Sequence, residues 1–269
     1  MAAAVVAAFL LLGGQAVDPI AQAATTSAGA PGYRMHMNLA ITSPQLPGPI
    51  SATASAVVDV PDKAVSMSLD MDMSSIPGSA QALGSSTMRL NAVLDGGVVY
   101  VEFPQSIVTR LPGFQGRSWV KVNVAKAAGL PGFSSLGGDP TTTDPRQALQ
   151  ELEAGADSIT NEGQQWVDGV QTTHYRAQLN LGRLLADAPS AERALLQRLV
   201  QGEVPVDVWV DAHHLIRRMN MFLALSLGNG PSVQETMTAD FTDYGPQPRP
   251  TPPPADQVTD GSAIPGVPD

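Results

Sequence analysis

The chain has no cysteine among its 269 residues. That excludes disulfides, thiol catalysis and cysteine-ligated metals together, and it leaves the redox compartment open. Basic residues are scarce: 15 Lys and Arg stand against 25 Asp and Glu, for a net charge of −10. Nucleic-acid binding needs clustered Lys and Arg, so nucleic acid is not expected as a partner. Aromatics are few, at 5%. The apolar run Ala2–Leu12 is too short to span a bilayer. Catalytic signatures are missing as well. There is no H-E-x-x-H, no G-x-S-x-G, no P-loop and no dinucleotide fingerprint, and Gly132–Gly137 has the wrong spacing for a nucleophile elbow. No cofactor and no enzymatic activity are expected.

What is present is a period of two. Hydrophobic residues make up 43% of the chain, enough for a sizeable core. The most strongly patterned stretch is Val204–Leu227, two alternating runs joined at Ala212-His213-His214. In its second run Leu215, Met219, Met221, Leu223, Leu225 and Leu227 share one parity, while Ile216, Arg218, Asn220 and Phe222 share the other. Alternation of this kind means a strand with one apolar face. At about 3.3 Å per residue the run would exceed ~40 Å, which suits a large curved antiparallel sheet. Trp209 and Phe222 oppose their apolar neighbours in parity, so they expect cover on the outer face, at an edge or from the proline-rich tail.

The same pattern recurs along the chain. Tyr33–Thr42 sets Met35, Met37, Leu39 and Ile41 on one face. Ile50–Val60 is a second strand, small and rich in Ser and Ala. Ala64–Met73 alternates Val65, Met67, Leu69, Met71 and Met73 against Ser66, Ser68, Asp70 and Asp72. Thr87–Asp95, which carries Leu90, and Val98–Phe103 flank Gly96-Gly97, a hairpin signal. Further strands are expected at Ser118–Val122, Ser158–Asn161, Gln164–Val167 and Thr172–Leu181, the last with Tyr175 and Leu179 on its apolar face. Val233–Tyr244 closes the series, with Val233, Met237, Ala239 and Phe241 together. Helices are expected from Asp18-Pro19 to about Ala28, from Asp144-Pro145 to Gly155, and over Pro189–Val200. Ser74–Ser86 reads as a mobile loop, Pro246–Pro254 as extended or disordered, and Gly261–Asp269 as a loose tail.

The expected architecture is therefore α+β. It is a strongly curved antiparallel sheet, a half-barrel of about ten strands, with two or three helices packed on the concave face. Residues 1–17 form a signal-type hydrophobic segment without a basic stretch before it, residues 18–260 a single domain, and 261–269 a disordered tail. Ala21-Gln22-Ala23 also fits a cleavage site, but Asp-Pro as a helix start is the preferred reading.

Nine methionines besides Met1 fall in the alternating runs. Methionine is flexible and polarisable; it fills cores and suits surfaces that accept varied apolar shapes. The candidate cavity wall is thus Met35, Met37, Leu39, Val65, Met67, Leu69, Met71, Leu90, Tyr175, Leu179, Met219, Met221, Leu223, Leu225 and Met237. The polar candidates are weaker. Asp70 and Asp72 read as a solvated face that blocks edge pairing. His213 and His214 read as a solvated turn, and His36 lies on a polar parity. His174, opposite in parity to its apolar neighbours, is the residue a hydrolase would be built around.

Several stretches occur in a telling order. Tyr33-Arg34-Met35 opens the first strand. Ser118-Trp119-Val120-Lys121-Val122 and Thr173-His174-Tyr175-Arg176 follow. Then come Pro205–Asp211, Leu215-Ile216-Arg217-Arg218, and Asp243-Tyr244-Gly245 before a proline-rich end. This resembles actinobacterial secreted proteins related to the mycobacterial LppX/LprG lipoproteins, in the LolA/LolB-like superfamily, over about Asp18–Asp260. The resemblance implies a half-barrel with helices in its mouth and a non-enzymatic carrier of lipids or acylated glycolipids in the cell envelope. Lipoprotein members carry an anchoring cysteine after the signal core. Here Leu11-Leu12-Gly13-Gly14-Gln15 stands in that region, so this chain has no lipobox cysteine. The expectation is a secreted or cell-envelope, extracytoplasmic monomer that binds lipid. The alternative is an envelope sensor or interaction module of the same fold, acting on a membrane or envelope protein partner.

Overall fold

The computed structural model describes residues 19–109, 112–114, 116–123, 156–180, 203–226 and 232–263. Twelve strands form one open, curved sheet in the order β12-β6-β5-β4-β3-β2-β1-β11-β10-β9-β8-β7. They are β1 Gly32–Thr42, β2 Ile50–Asp59, β3 Ala64–Asp72, β4 Thr87–Asp95, β5 Val98–Glu102, β6 Trp119–Asn123, β7 Ala156–Val167, β8 Val170–Asn180, β9 Glu203–Asp211, β10 Ile216–Ser226, β11 Ser232–Thr242 and β12 Val258–Asp260. The pairs are antiparallel except β12 with β6. Twelve strands exceed the ten or so expected; β12 is not among the expected runs, while β7 joins two of them into one. A register shift between Asn161 and Gly163 bridges the runs that read as separate short strands.

Turn chemistry closes the hairpins. Gly96 and Gly97 both have positive φ, at 58° and 78°, the geometry of a two-residue turn whose twist matches its strands. Asp168 and Gly169 repeat it between β7 and β8. The β9–β10 turn is held by Asp211, whose Oδ1 accepts from the amides of His213 and Leu215 at 2.8 and 2.9 Å. Its Oδ2 accepts from Arg217 Nε at 2.7 Å, so this buried carboxylate is fully paired.

Helix α1, Pro19–Ala28, lies on one face of the sheet, here the inner face. Ile20, Ala23 and Ala24 pack into the same core as Val206, Val208, Met219 and Met221. Small alanines let the helix approach closely. A β-bulge at Arg217 shifts the register between Ile216 and Arg218. Ile216 thereby joins Met219 on the inner face, although strict alternation assigns it to the other side. Ile216 is fully buried in the core, with 0% exposure.

Four segments differ from their expected form. Ser74–Ser86 holds a short helix α2, Ser79–Leu83, and is pinned by Ser79 Oγ to Met73 O and Ser75 Oγ to Pro49 O. A second short helix, α3, spans Gln105–Val108. The proline-rich tail is ordered where the sequence suggested extension or disorder. Gly245 N bonds Gly32 O, Arg249 reaches Asp95 and Asp62, and Pro250 is buried. The strap then delivers β12 to β6, where Arg117 donates to Val258 O. Its end is ordered too, since Gly261–Ala263 forms a 3-10 turn. The signal-type segment 1–17, Asp18, the expected helices at 144–155 and 189–200, and residues 264–269 lie outside the described residues.

Candidate functional site

Strand register decides which side chains meet. On the inner face one row runs across the sheet as Met88, Met71, Ala52, Leu39, Met237, Met221, Val206 and Ala177. The next row is Leu90, Leu69, Ala54, Met37, Ala239, Met219, Val208 and Tyr175. Beyond it lie Met67, Ala56, Met35 and Phe241, then Val65. Leu223, Leu225 and Leu179 continue the same parities. The residues named from alternation thus share one face.

That face is not uniformly filled. Over β8–β11 it is closed by α1 into a dry core: Leu179, Met219, Met221, Leu223 and Met237 are buried, and Tyr175 and Leu225 pack against them. Over β5–β6 a second, smaller core of Val108, Phe114 and Val120 forms where α3 folds back. Between the two lie Val65, Met67, Leu69, Met71 and Leu90, all half-buried and part of neither core. Met35, Met37 and Leu39 are half-buried at the margin of the first core. The small residues Ala52, Ala54 and Ala56 of β2 keep this stretch low between the Met-bearing strands on either side.

One residue on this face escaped the periodicity reading. Glu235 shares its parity with Val233, Met237, Ala239 and Phe241 in β11, and it pairs with Leu223 on one side and Ile41 on the other. It is only 6% exposed, and its Oε1 has no hydrogen-bond partner among the described residues. Burial pushes its carboxyl pKa up. The signal was legible as the one acid in an otherwise apolar parity.

The outer face is polar and largely paired, with Asn220 Oδ1 the exception among the described residues. His174 is 6% exposed and stacks on Trp209, with ring centroids 4.4 Å apart and planes 3° from parallel. Its Nε2 lies 2.7 Å from Asp207 Oδ1 and its Nδ1 lies 3.2 Å from Gln165 Nε2. Trp209 Nε1 donates to Gln165 Oε1, and Arg176 donates to Asp207. Both ring nitrogens of His174 are therefore engaged structurally, with no nucleophile on either. Trp209 finds its cover here, not under the proline-rich tail, which runs the opposite way across the sheet. Phe222 stays exposed at 38%.

Asp70 receives Arg89 directly across the strands at 2.7 Å, and Asp72 accepts from the Ser74 amide. His36 Nδ1 meets Ser55 Oγ at 3.1 Å. His36 and Ser55 line a depression of about 450 Å³ that crosses β1–β4. Each strand contributes three consecutive residues, such as Arg34-Met35-His36 and Ser66-Met67-Ser68, with the methionine turned inward. The depression belongs to the outer face and reflects the small serines there. His213 and His214 are exposed, and the described residues contain no cluster of His, Asp and Glu able to hold a metal. No described helix is long and apolar enough to cross a membrane.

No protein-family model matches the chain, and no curated protein matches it. Among solved structures the chain is similar to the lipoprotein LppX of Mycobacterium tuberculosis, at 12% identity and a TM-score of 0.45, over 86% of this chain and 95% of that one. It is also similar to LprF from Mycobacterium bovis, at 12% identity and a TM-score of 0.43, over 92% of this chain and 97% of that one.

Proposed function

We propose that the protein is a non-enzymatic, extracytoplasmic carrier or binder of a lipid or other acylated ligand, held against the inner face of the sheet. The observation that carries this reading is the half-buried methionine and leucine wall of β3 and β4, set between two closed cores. An acyl chain laid on that wall loses its contact with water. Each buried methylene contributes about 0.8 kcal/mol, so a long chain supplies substantial binding free energy without any chemistry. Methionine side chains adjust to the chain's course, and the alanines of β2 make room for it. The wall is apolar over its whole length and presents no reacting group. The resemblance of the motifs to LppX/LprG-related proteins supports the same ligand class.

Native mass spectrometry of protein purified from several lipid-producing hosts, with organic extraction of the sample, tests this. Co-purified acylated molecules are expected. Empty protein from every host would sink the reading. The rival reading, an interaction module on an envelope partner, is favoured by Trp166, which is 71% exposed on the edge strand β7. A Trp166→Ala variant that loses a membrane-protein partner while keeping its lipid would favour that role.

A further inference from the structure

Glu235 is the feature of the inner face that carrying apolar chains does not explain. Its neighbours in register are Leu223 and Ile41, and its neighbours along β11 on the same face are Val233 and Met237. None of the residues that β1, β10 and β11 place on this face beside it is Lys, Arg or His. Burial outweighs the opposing charge of the amino terminus on this carboxyl, and a carboxyl oxygen removed from water without a hydrogen-bond partner is strongly unfavourable. The adjoining outer positions Gln234 and Thr236 are exposed and would have taken an acid at no cost. A local violation of this kind, in a strand otherwise consistent with its fold, marks a group kept for what it binds.

We infer that Glu235 is the polar anchor of the inner face, accepting a hydrogen bond from a hydroxyl or ammonium group borne by an otherwise apolar ligand. This rests on the ligand-binding reading above and sharpens it: the protein selects acylated or alkyl molecules that carry a donor over those that lack one. The apolar wall of β3 and β4 takes the chain, and Glu235, one register step beyond the row containing Leu39, Met237 and Met221, takes the donor. A site built to hydrogen-bond a donor rejects the analogue without it, because the buried acceptor is then left unpaired.

Three probes of one chain length separate the possibilities: tetradecanol, its methyl ether and tetradecylamine, each competing with Nile red bound to the full chain. The wild type is expected to bind the alcohol or the amine roughly tenfold more tightly than the ether, as one well-placed hydrogen bond would give. A preference for the alcohol assigns a hydroxyl headgroup, and a preference for the amine assigns an ammonium. Glu235→Leu is expected to abolish the preference while binding the ether at least as well, and to raise the thermal midpoint. If all three probes bind and the wild type does not discriminate, or if the variant discriminates equally, the anchor role is overturned and the carrier reading stands. A lower midpoint for Glu235→Leu assigns the carboxyl to the fold and overturns the anchor role as well. Failure of both proteins to bind Nile red or any probe overturns the carrier reading itself.

Discussion

Ser27 Oγ accepts a hydrogen bond from the amide of Ile216 at 2.9 Å, across 189 positions of sequence. Ile216 still pairs with Val210 beside the β-bulge at Arg217, and the last turn of α1 supplies the acceptor for its amide. The carbonyl of Ile216 is satisfied in turn by Tyr244 Oη at 2.6 Å, and Arg217 lies over the Tyr244 ring at 5.3 Å. Helix, bulge and the end of β11 are thereby locked together at one corner of the sheet. Ser27→Ala leaves a buried amide unpaired and is expected to cost about 1–3 kcal/mol. Tyr244→Phe is expected to cost about 0.5–1.5 kcal/mol, because a carbonyl tolerates loss of a partner better than an amide does. Urea denaturation of the two variants, with unchanged m-values, checks both figures.

The same corner makes stability sensitive to high pH. Burial pushes the Tyr33 hydroxyl up to about 12, and burial also raises Tyr244. Tyr33 packs edge-on against Phe241, with ring centroids 6.0 Å apart. A raised folded-state pKa means that the stabilising contribution is complete below the unfolded value near 10 and is lost as pH climbs through the folded value. Stability should therefore fall between about pH 10 and 12. Thermal midpoints of Tyr33→Phe and the wild type across that window should converge towards the variant's flatter profile. Equal slopes would show that Tyr33 ionises freely.

Leu223 tests the assignment of faces. It is 8% exposed and directly opposite Glu235 in register. Leu223→Asp would place a second carboxyl against an acid whose Oε1 already has no hydrogen-bond partner among the described residues, so a loss of several kcal/mol is expected. Met221→Leu, in the same strand and on the same face, conserves volume and should cost less than about 1.5 kcal/mol. Chemical denaturation of the pair measures the contrast, and a near-neutral Leu223→Asp would mean that the inner and outer faces are exchanged.

His174 is expected to matter for stability and not for turnover. Its removal exposes one face of Trp209 and takes a partner from Asp207, which retains Arg176. His174→Ala should destabilise by roughly 1–3 kcal/mol, the range for a lost buried hydrogen-bonding partner. Ester-hydrolysis assays of wild type and variant should give the same background rate. A rate that falls with the variant would restore His174 as a reacting group.

Much of this was legible from alternation alone, because a period of two needs no knowledge of partners. Met35 to Leu39, Val65 to Met71 and Met219 to Leu225 announce their faces within single strands. Ile216 does not: the bulge at Arg217 inverts parity at one step, and a bulge has no local signature comparable to Asp-Gly-Gly. Trp209 was awkward for a related reason. Its cover is His174 on the neighbouring strand, and that contact depends on a register no single strand reveals. β12 is three residues long in a proline-rich strap, too short to show a period. Glu235 is the instructive case. The alternation of β11 shows its apolar face, and the four apolar residues of that parity mask the acid among them.

That acid gives the last prediction. Burial raises the pKa of Glu235, so the folded state holds its proton more tightly than the unfolded chain does. The sign follows from linkage. Below the unfolded value near 4.3 the group is protonated in both states and its burial costs least. As pH rises through the raised folded value, ionisation inside an apolar face becomes increasingly unfavourable and stability falls. Glu235→Gln keeps the shape and cannot ionise. It should match the wild type near pH 4 and exceed it increasingly towards pH 7, as read from urea midpoints at several pH values. A bound ligand that donates to the carboxylate would narrow that gap, since it supplies the hydrogen bond that Oε1 lacks among the described residues. A difference between Glu235→Gln and wild type that stays constant from pH 4 to 7 would mean the carboxyl reaches water, and that the inner face is wet where β1, β10 and β11 meet.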